Sequence, residues 1–343
     1  MNAAWAAGGL AGQPLMGLLR GTHIATEGGE TTVETLLPGM RVRTPGGEAR
    51  PIAWIGRRRI TPHRHPHPDW VRPVRIRRGA IANNLPRRDL ALSAAVTLSL
   101  EGVAVPVRAL INGATIALDR GAEVAEYFHL QLDGPDLLRA EGVMVESHRA
   151  EDNQVVFGNA GPAMLLHPGA PPPLEDAADA AVQHLRRRLL GRAQALGHSV
   201  TCNRELIVRT TDGTYIPCTA GGADWRFVLP LRASDLDLVS RAGVPAELEA
   251  ESSDQRRLGV LIERIVLRGS RRAWTVALDD PALSVGFHRP EFIDGGLRRW
   301  TDGHARLPAA LLEDATALEV HVAAFQPTWA GTAPPLAPAA WGA

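Results

Sequence analysis

Lysine is absent from this chain of 343 residues, so all 37 of its basic residues are arginine. They balance 37 acidic residues, which leaves no net field to draw in nucleic acid or a membrane surface. With so much Ala, Gly and Pro, the missing lysine reads as GC-rich coding bias or as a surface tuned to avoid that residue. Cysteine occurs twice, at Cys202 and Cys218. Two cysteines in a chain this long make no disulfide framework. No apolar run reaches the roughly 20 residues that a membrane-crossing helix needs. The first ten residues lack a positive start and a firm apolar stretch, so no conventional signal peptide is expected. The expected location is the cytoplasm, or outside the cell by a route without such a peptide. Aromatic residues are few, yet eight are Trp, against six Phe and two Tyr.

What is present is a run of short β segments. From residue 16 to 150 the expected strands are His23–Ala25, Arg41–Thr44, Ala49–Ile55, Val71–Ile76, Ala91–Leu92, Thr97–Leu100, Val103–Arg108 and Glu126–Leu132. Turn residues such as Gly28-Gly29, Pro38-Gly39 and Asn112-Gly113 separate them. Many short strands with regular turns predict an all-β unit. The composition then shifts to a Pro/Gly-rich stretch over 159–173, a semi-rigid spacer. A helix follows from Glu175 to Leu196, with Ala178, Val182, Leu185, Leu189, Ala193 and Leu196 on one stripe. Its acids come early and Arg186, Arg187, Arg188 and Arg192 come late, as the macrodipole favours. The arginine run reads as an anion site or as the helix's solvated face.

Strand patterns return after Ser199, at Leu206–Arg209, Trp225–Leu229, Leu236–Ser240, Trp274–Leu278 and Leu318–Phe325. Leu258–Leu267 fits helix or strand, and its Ile/Val content favours strand. This second part is expected to be a β-sandwich. The expected division is 1–15 as an N-terminal extension, 16–150 as the first domain and 151–174 as a linker. Residues 175–329 form helix plus sandwich, and 330–343 a loose tail. Glu205–Pro217 reads as a hairpin turning at Asp212-Gly213. In a tight register Cys218 would face position 207 rather than 202. A bridge therefore needs a bulge or longer loop, and two free, part-buried thiols are the other state.

The stretch from Gly17 to His148 resembles the Hint (Hedgehog/intein) domain in its bacterial form. The matching pieces are Gly21-Thr22-His23-Ile24, Val33-Glu34-x-Leu36, Pro38-Gly39 and Arg50–Gly56. They continue with Arg72–Ile76, Pro86–Leu90, Ala109–Gly113, Tyr127-Phe128-His129, Ala140-Glu141-Gly142 and Glu146-Ser147. Their order and spacing carry the resemblance more than any single piece. It implies an all-β, horseshoe-like disc of pseudo-symmetric halves. It also implies self-cleavage, in which a cysteine opening the domain attacks the preceding peptide carbonyl and a histidine protonates the leaving nitrogen.

Here the cysteine position is Gly17. The block that should end in histidine reads Ser93-Ala94-Ala95-Val96, so Val96 stands where the proton donor belongs. A later His-Asp pair reads Pro135-Asp136. Glycine has no side chain to attack with, and valine moves no proton. Shifting the alignment does not help, because the first domain has no cysteine. The expectation is a degenerate, non-catalytic Hint domain serving as a structural or binding module. The alternatives are self-cleavage through noncanonical groups, or carbohydrate binding by the second domain.

Other features have weaker claims. His63, His65 and His67 would share one face of an ideal strand and offer a metal site, but Pro66 and Pro68 favour polyproline geometry, which splays them. His129 lies in an apolar strand and reads as a satisfied, half-buried histidine. His288, Trp300 and Asp302, with Glu291 and His304 nearby, are candidates for a ligand site in which Trp stacks on a sugar ring. The competing reading buries Trp300 in the core. No cofactor is implied, and a protein or carbohydrate partner stays open.

Overall fold

The computed structural model describes residues 15–147, 157, 179–230 and 234–331. The chain divides into two compact units, Met1–Gly197 and His198–Ala343. The first is one thirteen-stranded antiparallel sheet that curls on itself. Its hinge is the strand Ala49–Ile60. The first part of that strand pairs with Arg41–Arg43 and the second with Ala125–Leu132. One long strand thus belongs to two faces, and the sheet closes around a core of Ile24, Leu36, Val42, Ile52, Leu92, Leu98 and Leu110. Buried residues alternate with part-exposed ones in His23–Thr26 and Thr97–Leu100, as one-sided burial requires.

The short strand Leu18–Leu19 is central to the unit. Leu18 lies between Phe128 of Ala125–Leu132 and Leu92 of Leu90–Ser93. This places the chain just before residue 18 inside the sheet instead of at an edge.

The helix spans Ala180–Ala195 and begins one turn later than its apolar stripe suggests. Asp179 caps it, its carboxylate accepting from Ala181 N–H at 2.7 Å. Residues 175–178 lie outside the described residues. Val182, Leu185 and Leu189 pack into the core of the first unit. The helix thus belongs to the first unit, whereas its position after the spacer grouped it with the second. The arginine run is not a solvated face throughout. Arg186 is buried, Arg188 pairs with Glu101, and Arg192 donates to the Gly79 carbonyl at 2.9 Å. These contacts fasten the helix to the sheet.

Phe157 is buried with Trp54, Tyr127 and Val71 in a satellite core, so the packed part of the first unit reaches past 150. The remaining residues of the expected linker, 151–156 and 158–174, lie outside the described residues, as do 1–14 and 332–343. No described helix is long and apolar enough to cross a membrane.

The second unit has two principal sheets lining one core. The smaller runs Tyr215–Ile216, Leu206–Thr210, Leu236–Ser240, His304–Leu307. The larger has seven strands, with Ala315–Phe325 and Val260–Gly269 at its centre. Leu206, Val208 and Leu238 from one sheet meet Phe227, Ile265 and Val320 from the other, the sandwich expected from the strand pattern. The ambiguous segment is strand, Val260–Gly269. Among the strands that went unread in the sequence are Glu291–Ile293, Gly296–Trp300 and His304–Leu307.

The hairpin around Asp212-Gly213 forms, with Val208 opposite Ile216. Beyond it Pro217 ends the ladder, and Cys218 pairs in the other sheet, opposite Phe227. Both cysteines are free and exposed, where part-buried thiols or a bridge were expected.

Candidate functional site

The peptide between Met16 and Gly17 is held from both sides. The Gly17 N–H donates to Ser93 Oγ at 3.0 Å, and the same hydroxyl donates to the Leu15 carbonyl at 2.7 Å. Ser93 N–H in turn donates to the Gly17 carbonyl at 2.8 Å. On the other side His129 Nδ1 is 3.0 Å from the Met16 carbonyl oxygen. A carbonyl only accepts, so Nδ1 carries the proton. Ser93 is 1% exposed and His129 7%, so these hydrogen bonds operate away from bulk water.

The sequence distances are large and the spatial ones small. Ser93 ends the strand Leu90–Ser93, and His129 lies within Ala125–Leu132. Those strands flank Leu18–Leu19, so sheet pairing alone delivers both side chains to the Met16–Gly17 amide. A cavity of about 20 Å³ adjoins it, lined in part by Gly17, Val96, His129 and Glu146. Gly17 and Val96 therefore meet at one cavity, as the Hint resemblance requires. Pro135 does not line it and lies exposed in the turn before Asp136–Ala140.

The position of Gly17 is tight for a side chain. A Cβ there would lie 3.1 Å from Tyr127 Cβ and 3.2 Å from the Phe128 carbonyl oxygen. Tyr127 is fully buried and its hydroxyl donates to the Val71 carbonyl at 2.9 Å. Burial pushes its pKa well up, so it stays a neutral donor. The neighbour that would have to yield is thus anchored at both ends.

His129 was expected to be a satisfied, half-buried histidine. It is more buried than that and is engaged with the junction. Its ring lies 5.5 Å from Phe157 and 6.3 Å from Trp54. Gly56, opposite His129 in the sheet, makes room for this cover: a Cβ there would come within 2.5 Å of Trp54 and 2.7 Å of Phe157. Tyr127-Phe128-His129 and the Trp54–Gly56 step were visible in the sequence, but their meeting over one amide was not.

A second polar cluster braces the first unit. Glu141, 1% exposed, accepts from His23 N–H at 2.8 Å, His23 Nδ1 at 2.9 Å and Arg88 at 2.8 Å. It joins the Gly21–Ile24 and Ala140–Gly142 pieces, which explains why those stretches need a charged residue inside.

The other sequence candidates form two groups, neither of which lines this cavity. His65 and His67 bond to each other, since His65 Nδ1 donates to the His67 carbonyl at 2.9 Å, and His67 stacks on Trp70 at 3.9 Å. His63 lies on the exposed one-turn helix Pro62–Arg64. Among the described residues no group of three or more His, Cys, Asp or Glu could hold a metal ion. His288 Nε2 donates to the Arg257 carbonyl at 2.8 Å, and Asp302 accepts from His304 N–H at 2.8 Å. Trp300 is half-buried in Gly296–Trp300, opposite Leu261. Backbone bonds bring these residues side by side, with His288 N–H donating to the Trp300 carbonyl at 2.9 Å and Asp302 N–H to the Gly286 carbonyl at 2.8 Å.

Residues 16–152 match the family model described as the Hint domain. That stretch of the chain is a Hint domain, on the curled all-β fold. Solved structures similar to the chain include a DnaB intein from Synechocystis, at 14% identity and a TM-score of 0.26, covering 38% of this chain and 99% of that one. Another is a bacterial intein-like domain from Clostridium thermocellum, at 11% identity and a TM-score of 0.28, covering 39% and 99%. No curated protein matches the chain.

Proposed function

We propose that the Hint domain of this protein has lost self-cleavage and acts as a structural or binding module that holds an intact junction at Met16–Gly17. The observation that carries this reading is the make-up of the junction cavity. Its ionisable side chains are His129 and Glu146, and no Cys, Ser or Thr lines it. An acyl shift needs a side-chain nucleophile at residue 17, and glycine offers none. Ser93 is near, but its hydroxyl is committed to Leu15 and Gly17. Val96 replaces the proton donor with a methyl-bearing wall. What persists is the clamp, which orients the amide without supplying an attacking atom.

One observation favours a second reading, self-cleavage through noncanonical groups. The His129 hydrogen bond polarises the Met16 carbonyl, the electrophile of that reaction. A single measurement separates the two. The purified chain is held with a strong thiol for a day and its intact mass followed. Constant mass supports the module. A fragment beginning at Gly17 supports cleavage.

A further inference from the structure

The second unit carries a polar groove on the outer face of its larger sheet, independent of the first unit's chemistry. Its origin is a break in a strand's alternation. Along Val260–Gly269, Glu263 and Arg264 are both exposed, although consecutive strand residues normally face opposite ways. The register explains it. Ile262 pairs with Val322 and Arg264 with His321, so Glu263 is the extra residue of a β-bulge. A bulge re-aims a side chain. Here it brings an acid to the side where Arg264 already points.

Asp224, His321 and Arg264 are direct neighbours across three adjacent strands. His321 Nδ1 donates to the Asp224 carboxylate, which can only accept. Arg264 Nη2 lies 3.4 Å from the same ring nitrogen. The other nitrogen, Nε2, has no partner among the described residues. Together with Glu263 these groups line a groove of about 520 Å³, whose apolar wall is Leu297. Gly296 leaves that wall low, since a Cβ there would have nothing closer than the Ile293 carbonyl at 4.0 Å.

The chemistry of the lining selects a ligand class. Two carboxylates and one guanidinium do not form the surplus of positive charge that a phosphate or sulfate requires. Arg264 among the acids opposes a bare metal ion, and the geometry offers no metal cluster. What remains is a balanced set of acceptors and donors on planar groups beside an apolar wall. Adjacent hydroxyls, each able to give and accept, satisfy such a set, while the C–H face of a sugar ring covers Leu297. The volume is in the range of small-ligand sites, about 300–1,000 Å³. We propose that this groove binds a neutral sugar, one or two rings of a polysaccharide chain.

The test uses the full chain on an array of neutral and anionic oligosaccharides, with a peptide array beside it, followed by calorimetric titration of the best glycan. Binding to neutral glycans is expected, weakened about tenfold or more by Glu263→Ala and by Arg264→Ala, because each removes hydrogen bonds to a charged group. Both positions are exposed, and circular dichroism checks that the fold persists. Three results overturn the proposal: no neutral glycan bound at millimolar concentration, capture of anionic glycans or peptides alone, or neutral-glycan affinity unchanged in both variants.

Discussion

Ser93 Oγ lies 3.0 Å from the amide nitrogen of Gly17, seventy-six residues away in sequence. The hydroxyl accepts from that nitrogen and donates to Leu15, so it bridges the peptides on either side of Met16. One buried hydroxyl thereby fixes the path of the chain as it enters the sheet.

Ser93→Ala tests this bridge. The change leaves a buried donor and a buried acceptor unpaired, which costs on the order of 1–3 kcal/mol. The urea midpoint should fall while the slope of the transition stays the same. An unchanged midpoint would mean that water replaces the hydroxyl and that the bridge contributes nothing.

Placing a nucleophile at Gly17 runs into packing. In Gly17→Cys the new Cβ presses on Tyr127 and the Phe128 carbonyl, and overpacking of this kind costs roughly 1–3 kcal/mol. With Val96→His added, a nucleophile and a proton donor share the cavity, and slow thiol-dependent cleavage before residue 17 is expected in the double variant. Groups that act as a unit do little singly, so each single variant should stay intact. Mass spectrometry over a day reads the outcome. Cleavage by Gly17→Cys alone, as fast as by the pair, would show that His129 and Ser93 suffice.

Glu319 should make part of the stability pH-dependent. A hydrogen bond from Arg268 holds its carboxyl below the ordinary value, against the opposing push of burial, with the charges of Arg268 and Arg226 assisting. A depressed folded pKa contributes stability above the unfolded-chain value, about 4.3, and that contribution is lost as pH falls through the folded value. Glu319→Gln should therefore lower the unfolding free energy at pH 7, by about 1–2 kcal/mol. The gap between variant and wild type should narrow as pH falls below about 4.3 and through the depressed folded value. A gap that stays constant from pH 7 into strong acid contradicts the linkage.

Leu189 reports which unit owns the helix. It is 1% exposed in the first core, and Leu→Ala at such sites costs about 2–5 kcal/mol. Calorimetry of Leu189→Ala should show the first unit's transition moved down and the second's unmoved. Limited proteolysis is expected to cut first in 161–173, on the Pro/Gly-rich composition of that stretch. Early stable cuts within 40–140 or 205–320 would contradict the two-unit division.

The sequence by itself determined local matters. Strand alternation in Thr97–Leu100, the turn at Asp212-Gly213 and the stripe of Val182, Leu185 and Leu189 are properties of neighbouring residues, and each was legible before any fold was known. So was the absence of a thiol at Gly17 and of an imidazole at Val96, because side-chain identity needs no geometry. Tertiary structure alone decided the partners. A helical stripe says that something must cover it, not which core does, so the helix after the spacer joined the unit before it. Ser93 and His129 reach the Met16–Gly17 amide only because Leu18–Leu19 is inserted between their strands, a pairing set by long-range ladder hydrogen bonds. The groove beside His321 depends on one unpaired residue, Glu263. A bulge is invisible in a strand read alone, since it exists only in the register between two.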